Sequence, residues 1–226
     1  MSDLFSRIVR ATVGGTIVFL ALIFIPAGTV DYWQGWAFAG ALLVSSLLVT
    51  IHMALNDREL LERRLSAGPS AEKTSAQKLI TAAGFALFVA ALVVMVLDHR
   101  FRWSPGVPAF LSLSGDALAV LGIVIYFVVI RENRYAASTI EVVEGQRVVS
   151  TGPYAIVRHP MYSGAILVFL GMPLALGSWW GLLFTPLCIG WFAWRLLDEE
   201  RFLRLNLPGY DAYMSAVRYR LVPRVW

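Results

Sequence analysis

The chain has 226 residues, is 58% hydrophobic and only 15% charged, and carries a formal net charge of +4 with a mean hydropathy of +0.67. Soluble domains are typically about 45–50% apolar and about 25% charged, so a soluble enzyme is excluded and an integral membrane protein with one compact helical domain is indicated. The basic residues lie between apolar runs and read as topology rather than as a nucleic-acid surface. The single cysteine, Cys188, allows no internal disulfide, and His52, His99 and His159 show no metal-ligand spacing.

The first apolar run, residues 11–30, follows Arg7 and Arg10. The start resembles a signal peptide, but a run of about 20 residues suits an uncleaved span. Pro26-Ala27-Gly28 loosens its end, and Asp31-Tyr32-Trp33-Gln34-Gly35-Trp36 forms a tight aromatic connection to a second run, 36–55. Residues 56–78 are the first long polar segment. Helix formers at 57–65 predict an extension of the second helix, stopped by Gly68-Pro69-Ser70. A third span covers 79–97. A short loop to Pro108 follows, and then a fourth span over 113–130 with Ser114 or Asp116 as its cap.

Residues 131–159 are the second long polar segment, in which 140–149 reads as a short extended piece rather than a helix. It ends in the densest run of special residues in the chain, Thr151 to Gly164. Pro153 and Pro160 restrict Gly152 and His159 before them, and Gly152 permits a turn. Tyr154, Arg158, His159 and Tyr162 share this bend, which reads either as a small-molecule site or as an interfacial anchor. The fifth run, 161–176, reaches only about 24 Å against an apolar core of about 30 Å. Gly177-Ser178-Trp179-Trp180-Gly181 turns the chain into a sixth run, 182–197, so the last two runs form a hairpin.

Placing the N-terminus inside puts every lysine and arginine except Arg100 and Arg102 on the inner side. Both termini and both long polar segments are therefore expected to face the cytoplasm. The setting is that of a bacterial-type inner (plasma) membrane. The last helix continues as Trp194-Arg195-Leu196-Leu197-Asp198-Glu199-Glu200. Arg195 lies roughly 22 Å along a helix from Trp180, near the inner edge of the oil. It either snorkels and pairs with Glu199, four residues on, or lines a wet cavity. The hairpin brings Arg195 to Glu200 back to the face where Arg158 to Tyr162 begins. Pro208-Gly209 then breaks the helix; 210–220 reads as a short surface helix, and 221–226 as an interfacial end.

With these constellations in view, the chain resembles the integral-membrane methyltransferases of the isoprenylcysteine carboxyl methyltransferase and phospholipid methyltransferase families. The resemblance covers roughly residues 131–226. It rests on Gly152-Pro153-Tyr154, Arg158-His159-Pro160-x-Tyr162-x-Gly164, Glu199-Glu200, Pro208-Gly209-Tyr210-x-x-Tyr213 and Val222-Pro223-Arg224. It implies an all-α polytopic membrane protein of five to six transmembrane segments with a cytoplasmic cofactor pocket in its C-terminal half, 131–226, behind four spans in 1–130. It implies S-adenosylmethionine as cofactor, S-adenosylhomocysteine as product, and a lipid-borne or prenylated acceptor arriving from the bilayer. By the same resemblance Tyr154, His159, Pro160, Met161 and Tyr162 contact the cofactor. Gln146, Arg147, Val148 and Val149 line it, Glu199 binds it, and Arg195 faces the acceptor.

The chemistry suits those roles. A buried Glu can take the cofactor's ammonium; main-chain N–H groups with Arg158 or His159 can take its carboxylate. Tyrosine faces can hold adenine or shield the sulfonium. A carboxylate acceptor needs no base and would be oriented by Arg195. An amine must lose a proton, for which Glu200 and Tyr162 are candidate bases. The alternatives are a small transporter, disfavoured because the first four spans show no ionisable residue at mid-membrane depth, and a non-enzymatic relative that has kept the fold.

Overall fold

The computed structural model describes residues 2–65, 68–136 and 139–226. Its helices are α1 (Ser2–Ala27), α2 (Trp33–Asn56), α3 (Arg58–Leu65), α4 (Ser75–Phe101), α5 (Ala109–Glu132), α6 (Pro160–Ala175), α7 (Phe184–Asn206) and α8 (Tyr210–Ala216). Among the described residues there is no strand. Five stretches are long and apolar enough to cross a membrane: Leu4–Ala27, Trp33–Asn56, Ser75–Phe101, Ala109–Glu132 and Trp180–Asn206. The all-helical polytopic architecture expected from hydropathy is the one observed.

Several boundaries differ, each for a local reason. The second helix does not continue past Asn56. Asp57 leaves helical geometry at φ −150° and its carboxylate accepts from Leu60 N–H at 3.0 Å, so it starts a new helix, α3. α4 begins at Ser75, four residues early, because Thr74 and Gln77 form a reciprocal capping box. α5 begins at Ala109 behind Pro108. Neither Ser114 nor Asp116 caps it: the Ser114 hydroxyl donates to Phe110 O within the helix, and Asp116 sits roughly 10 Å inside. Residues 140–149 are irregular, turning where Gln146 N–H donates to Val143 O. The terminal helix stops at Ala216, and 217–226 folds back instead of running on as helix.

α6 has 16 residues, about 24 Å, and contains Pro173. It packs along α5 with the two backbones in contact. A Cβ on Gly115 would meet Gly171 O at 2.5 Å and Ala175 N at 2.4 Å; one on Gly122 would meet Gly164 O at 2.4 Å. In lipid there is little hydrophobic drive between helices, so such small-residue seams supply close van der Waals packing in its place. Beside the seam a core of Ile23, Tyr32, Phe38, Leu92, Met95, Met172 and Leu176 unites α1, α2, α4 and α6.

At one end of the bundle, buried Asp98 accepts from Ser104 N–H at 2.8 Å and from the Ser104 and Ser178 hydroxyls, both at 2.6 Å. The Tyr32 hydroxyl donates to Leu176 O at 2.6 Å. These bonds pin the three connecting turns of that end. The opposite end gathers α3, both long polar segments and the C-terminal tail; Ile8 of α1 packs there against Leu60 and Leu61.

Replacing Gly122 by leucine must separate α5 from α6, a cost of about 1–3 kcal/mol for overpacking. A Cβ on Gly40 would meet no side chain and no other helix within 4 Å among the described residues. Thermal unfolding in detergent should therefore show Gly122→Leu lowered by several degrees and Gly40→Leu unchanged. Equal midpoints would dismiss the seam as a structural determinant.

Candidate active site

The bend from Thr151 to Gly164 is held in three ways. Gly152 adopts φ +56°, and a Cβ there would meet the Glu132 carboxylate carbon at 2.8 Å. Glu132 in turn accepts from the Thr151 hydroxyl. Pro160 starts α6 at its first turn, where a missing N–H costs nothing. The N–H groups of Arg158 and His159 donate to Tyr219 O and Arg220 O, both at 2.9 Å, and the Ser163 hydroxyl donates to Leu221 O at 2.7 Å. The folded-back tail therefore braces the start of α6.

Glu200 is the centre of that brace. It is 4% exposed. Its Oε1 accepts from Arg158 Nε at 2.7 Å and lies 3.3 Å from His159 Nε2; its Oε2 accepts from Arg220 Nε at 3.0 Å. Arg158 Nη1 also donates to Val217 O and Arg218 O at 2.8 and 2.9 Å. The cluster joins α6, α7 and the tail through one carboxylate.

A cavity of about 470 Å³ opens beside it, within the ligand-pocket range of about 300–1,000 Å³. Of the residues singled out in the sequence, Gln146, Arg147, Val148, Val149, Tyr154, Arg158, His159, Met161, Tyr162, Arg195 and Glu199 line it. Two do not. Pro160 serves as the helix start, and Glu200, the candidate base, is turned into the tail brace and away from the cavity wall.

Within the cavity the Tyr162 hydroxyl donates to Glu199 Oε2 at 2.6 Å, and the rings of Tyr162 and His159 stack with centroids 5.7 Å apart. Arg195 does not pair with Glu199. Its Nη2 donates to Glu72 Oε1 at 2.6 Å and its Nη1 to Thr81 Oγ1 at 3.1 Å. Tyr154 accepts from Asn133 Nδ2 at 3.0 Å, which leaves its own proton to donate. Burial pushes this phenol up to about 12, an effect that the Asn133 bond only partly offsets, so it stays protonated at neutral pH. Tyr210 also lines the cavity, and its buried hydroxyl has no hydrogen-bond partner among the described residues. Burial, and then the charges of Glu199 and Glu200, push it up as well.

Sequence reasoning missed Glu72, Thr81, Arg64, Asn133 and the lining role of Tyr210. Tyr210 lay in a motif already noted and needed only the fold to place it. Glu72 gave no signal, since a lone carboxylate in a polar segment has the appearance of a solvated one. Arg64 lies over the Tyr126 ring at 4.7 Å and donates to Ala136 O, fixing the entry to the 139–149 loop.

The fold and this cavity define a polytopic helical membrane protein with a buried polar site at one end of its last hairpin. Residues 111–207 match the family model of the phospholipid methyltransferases. The match is consistent with the resemblance that the sequence bears to the isoprenylcysteine and phospholipid methyltransferases. No curated protein matches the chain.

Removing one member of a buried, hydrogen-bonded charge cluster costs about 3–5 kcal/mol, because the remaining charges are left uncompensated. Glu200→Ala is therefore expected to lower the unfolding midpoint strongly and to make 217–226 the first site of limited proteolysis. A tail as resistant as in the parent protein would overturn its assignment as a brace.

Proposed function

We propose that the protein transfers a methyl group from S-adenosylmethionine to a lipid-borne or other hydrophobic acceptor at the cytoplasmic face of the membrane. The observation that carries this reading is one cavity, largely within the family-matched segment, that joins Glu199, Tyr162 and His159 to Arg195. The donor set fits such a cofactor. A buried hydroxyl without a partner, that of Tyr210, lines the same space as a carboxylate and several aromatic faces.

Glu199, oriented by the Tyr162 hydroxyl, would take the ammonium. His159 and main-chain N–H groups of the bend would take the carboxylate, and Gln146 to Val149 with Tyr154 and Tyr210 would enclose the adenosine. Arg158 contributes mainly by holding the bend, since its Nε and Nη1 are committed to Glu200 and the tail. When bound, the cofactor supplies an electrophilic methyl group on sulfur, and the sulfur keeps the bonding electron pair as the acceptor takes the carbon. The protein's part is to align the acceptor and exclude water. Arg195, with Thr81 and Phe85 beside it on the cavity wall, forms the acceptor end. If the acceptor is an amine, neither candidate base takes its proton directly: Glu200 is withdrawn from the cavity, and the Tyr162 hydroxyl already donates its own proton to Glu199.

Calorimetric titration of the detergent-solubilised protein tests this. S-adenosylmethionine and S-adenosylhomocysteine should both bind, and Glu199→Gln should weaken them by about tenfold or more, the scale of one charge-assisted hydrogen bond. Arg195→Ala should leave cofactor affinity nearly intact and abolish transfer of labelled methyl groups into membrane lipid. No binding to well-folded protein would end the methyltransferase reading.

A further inference from the structure

Arg195 is a buried cation, and its counter-ion comes from a part of the chain outside the family-matched segment. Glu72 follows the 3₁₀ turn Pro69–Ala71 and is 3% exposed. One oxygen, Oε1, accepts from Arg195 Nη2 at 2.6 Å and from the Thr81 hydroxyl at 3.0 Å. The other, Oε2, accepts from Ile140 N–H at 3.3 Å. Both oxygens are therefore occupied, by a cation, a hydroxyl and the loop that lines the cavity.

A guanidinium has five N–H groups. Arg195 uses Nη2 for Glu72 and Nη1 for Thr81, and still lines the cavity. It can donate to an acceptor, but as half of a neutral pair. A carboxylate brought to that pair must shed its water, and its attraction to Arg195 is offset by repulsion from Glu72. An uncharged reacting group escapes the repulsion, sheds its water at much lower cost and can still accept a hydrogen bond from Arg195.

We propose that Glu72 is the specificity-determining residue of the acceptor end. By neutralising Arg195 it makes that end take a lipid whose reacting group carries no net negative charge. The proposal rests on the methyltransferase reading above and narrows its acceptor.

Glu72→Gln keeps the shape of the side chain and removes its charge, leaving Arg195 a net cation. Two probes isolate the effect of charge: N-acetyl-S-farnesylcysteine, which ends in a carboxylate, and its methyl ester, which has the same body without the charge. Binding of each to the full chain in nanodiscs is measured beside a titration with S-adenosylhomocysteine. The parent protein should bind the ester at least as tightly as the acid. Glu72→Gln should tighten the acid by about tenfold or more while the ester and S-adenosylhomocysteine move by less than about threefold, as expected for removal of one like charge. The double variant Glu72→Gln/Arg195→Gln should lose the gain for the acid.

A parent protein that prefers the acid overturns the proposal, and this outcome needs no variant to fold. So does a folded Glu72→Gln with an unaltered ratio, and so does binding of neither probe, which would leave this end of the cavity without a lipid ligand. Failure of the methyltransferase reading shows separately, as absent S-adenosylhomocysteine binding to the parent protein.

Discussion

Backbone contact between α5 and α6 is the constraint on which the site depends. α6 is too short to cross an apolar core of about 30 Å unaided, and its packing must come from a neighbour. Gly115 and Gly122 on one helix face Gly171 and Gly164 on the other, at distances no larger residue would allow. The two pairs lie seven residues apart on each helix, two turns of one face, so the contact fixes register as well as separation. Register is what matters for chemistry. It sets the height at which His159 and Pro160 begin α6, and so where the bend meets α7.

Two buried carboxylates then divide the work at that end. Glu200 is surrounded by Arg158, His159 and Arg220 and binds the tail to the bend. Glu72 holds Arg195. In surroundings of low dielectric an unpaired charge is expensive, so each arginine must have its partner in place before any ligand arrives. The difference lies in where the pairs sit. Glu200 is enclosed by its donors, whereas Arg195 keeps one flank on the cavity. The first arrangement gives rigidity and the second gives a polar surface of controlled charge.

Much of this was legible in the sequence, within limits set by distance along the chain. Hydropathy marks the spans because lipid-facing helices must be apolar over their whole length. The bend announces itself because proline, glycine and aromatic residues are concentrated there. The start of α4 was placed four residues late, at 79, although Thr74 and Gln77 stand at capping-box spacing. The separate fates of Glu199 and Glu200 were missed, with Glu200 among the candidate bases, although neighbours on a helix of 3.6 residues per turn point about 100° apart. The Arg195–Glu72 pair was beyond reach. The residues are separated by 123 positions, and nothing local distinguishes a carboxylate that will be buried from one that will be solvated. The i,i+4 partner, Glu199, was the nearest local choice, and tertiary structure supplied a different one.

That pair also changes the status of the N-terminal half, which carries no motif of its own. The first polar segment meets the second at several points in the same order along both segments. Arg63 donates to Arg134 O, Arg64 to Ala136 O, Ile140 N–H to Glu72, and Lys73 pairs with Glu141 at 3.2 Å. Each bond is modest, and the exposed ones are worth little alone. Together they place Arg63, Arg64, Glu72 and Lys73 beside Arg134, Ala136, Ile140 and Glu141 and hold the irregular 139–149 loop along the cavity. The family-matched segment contains Arg195 and Glu199 but neither the counter-ion of the one nor the tail that braces the bend beside the other. Cavity geometry therefore draws on segments outside the match: the matched helices carry Arg195 and Glu199, while the flanking segments supply the counter-ion of Arg195 and hold the loop that lines the cavity.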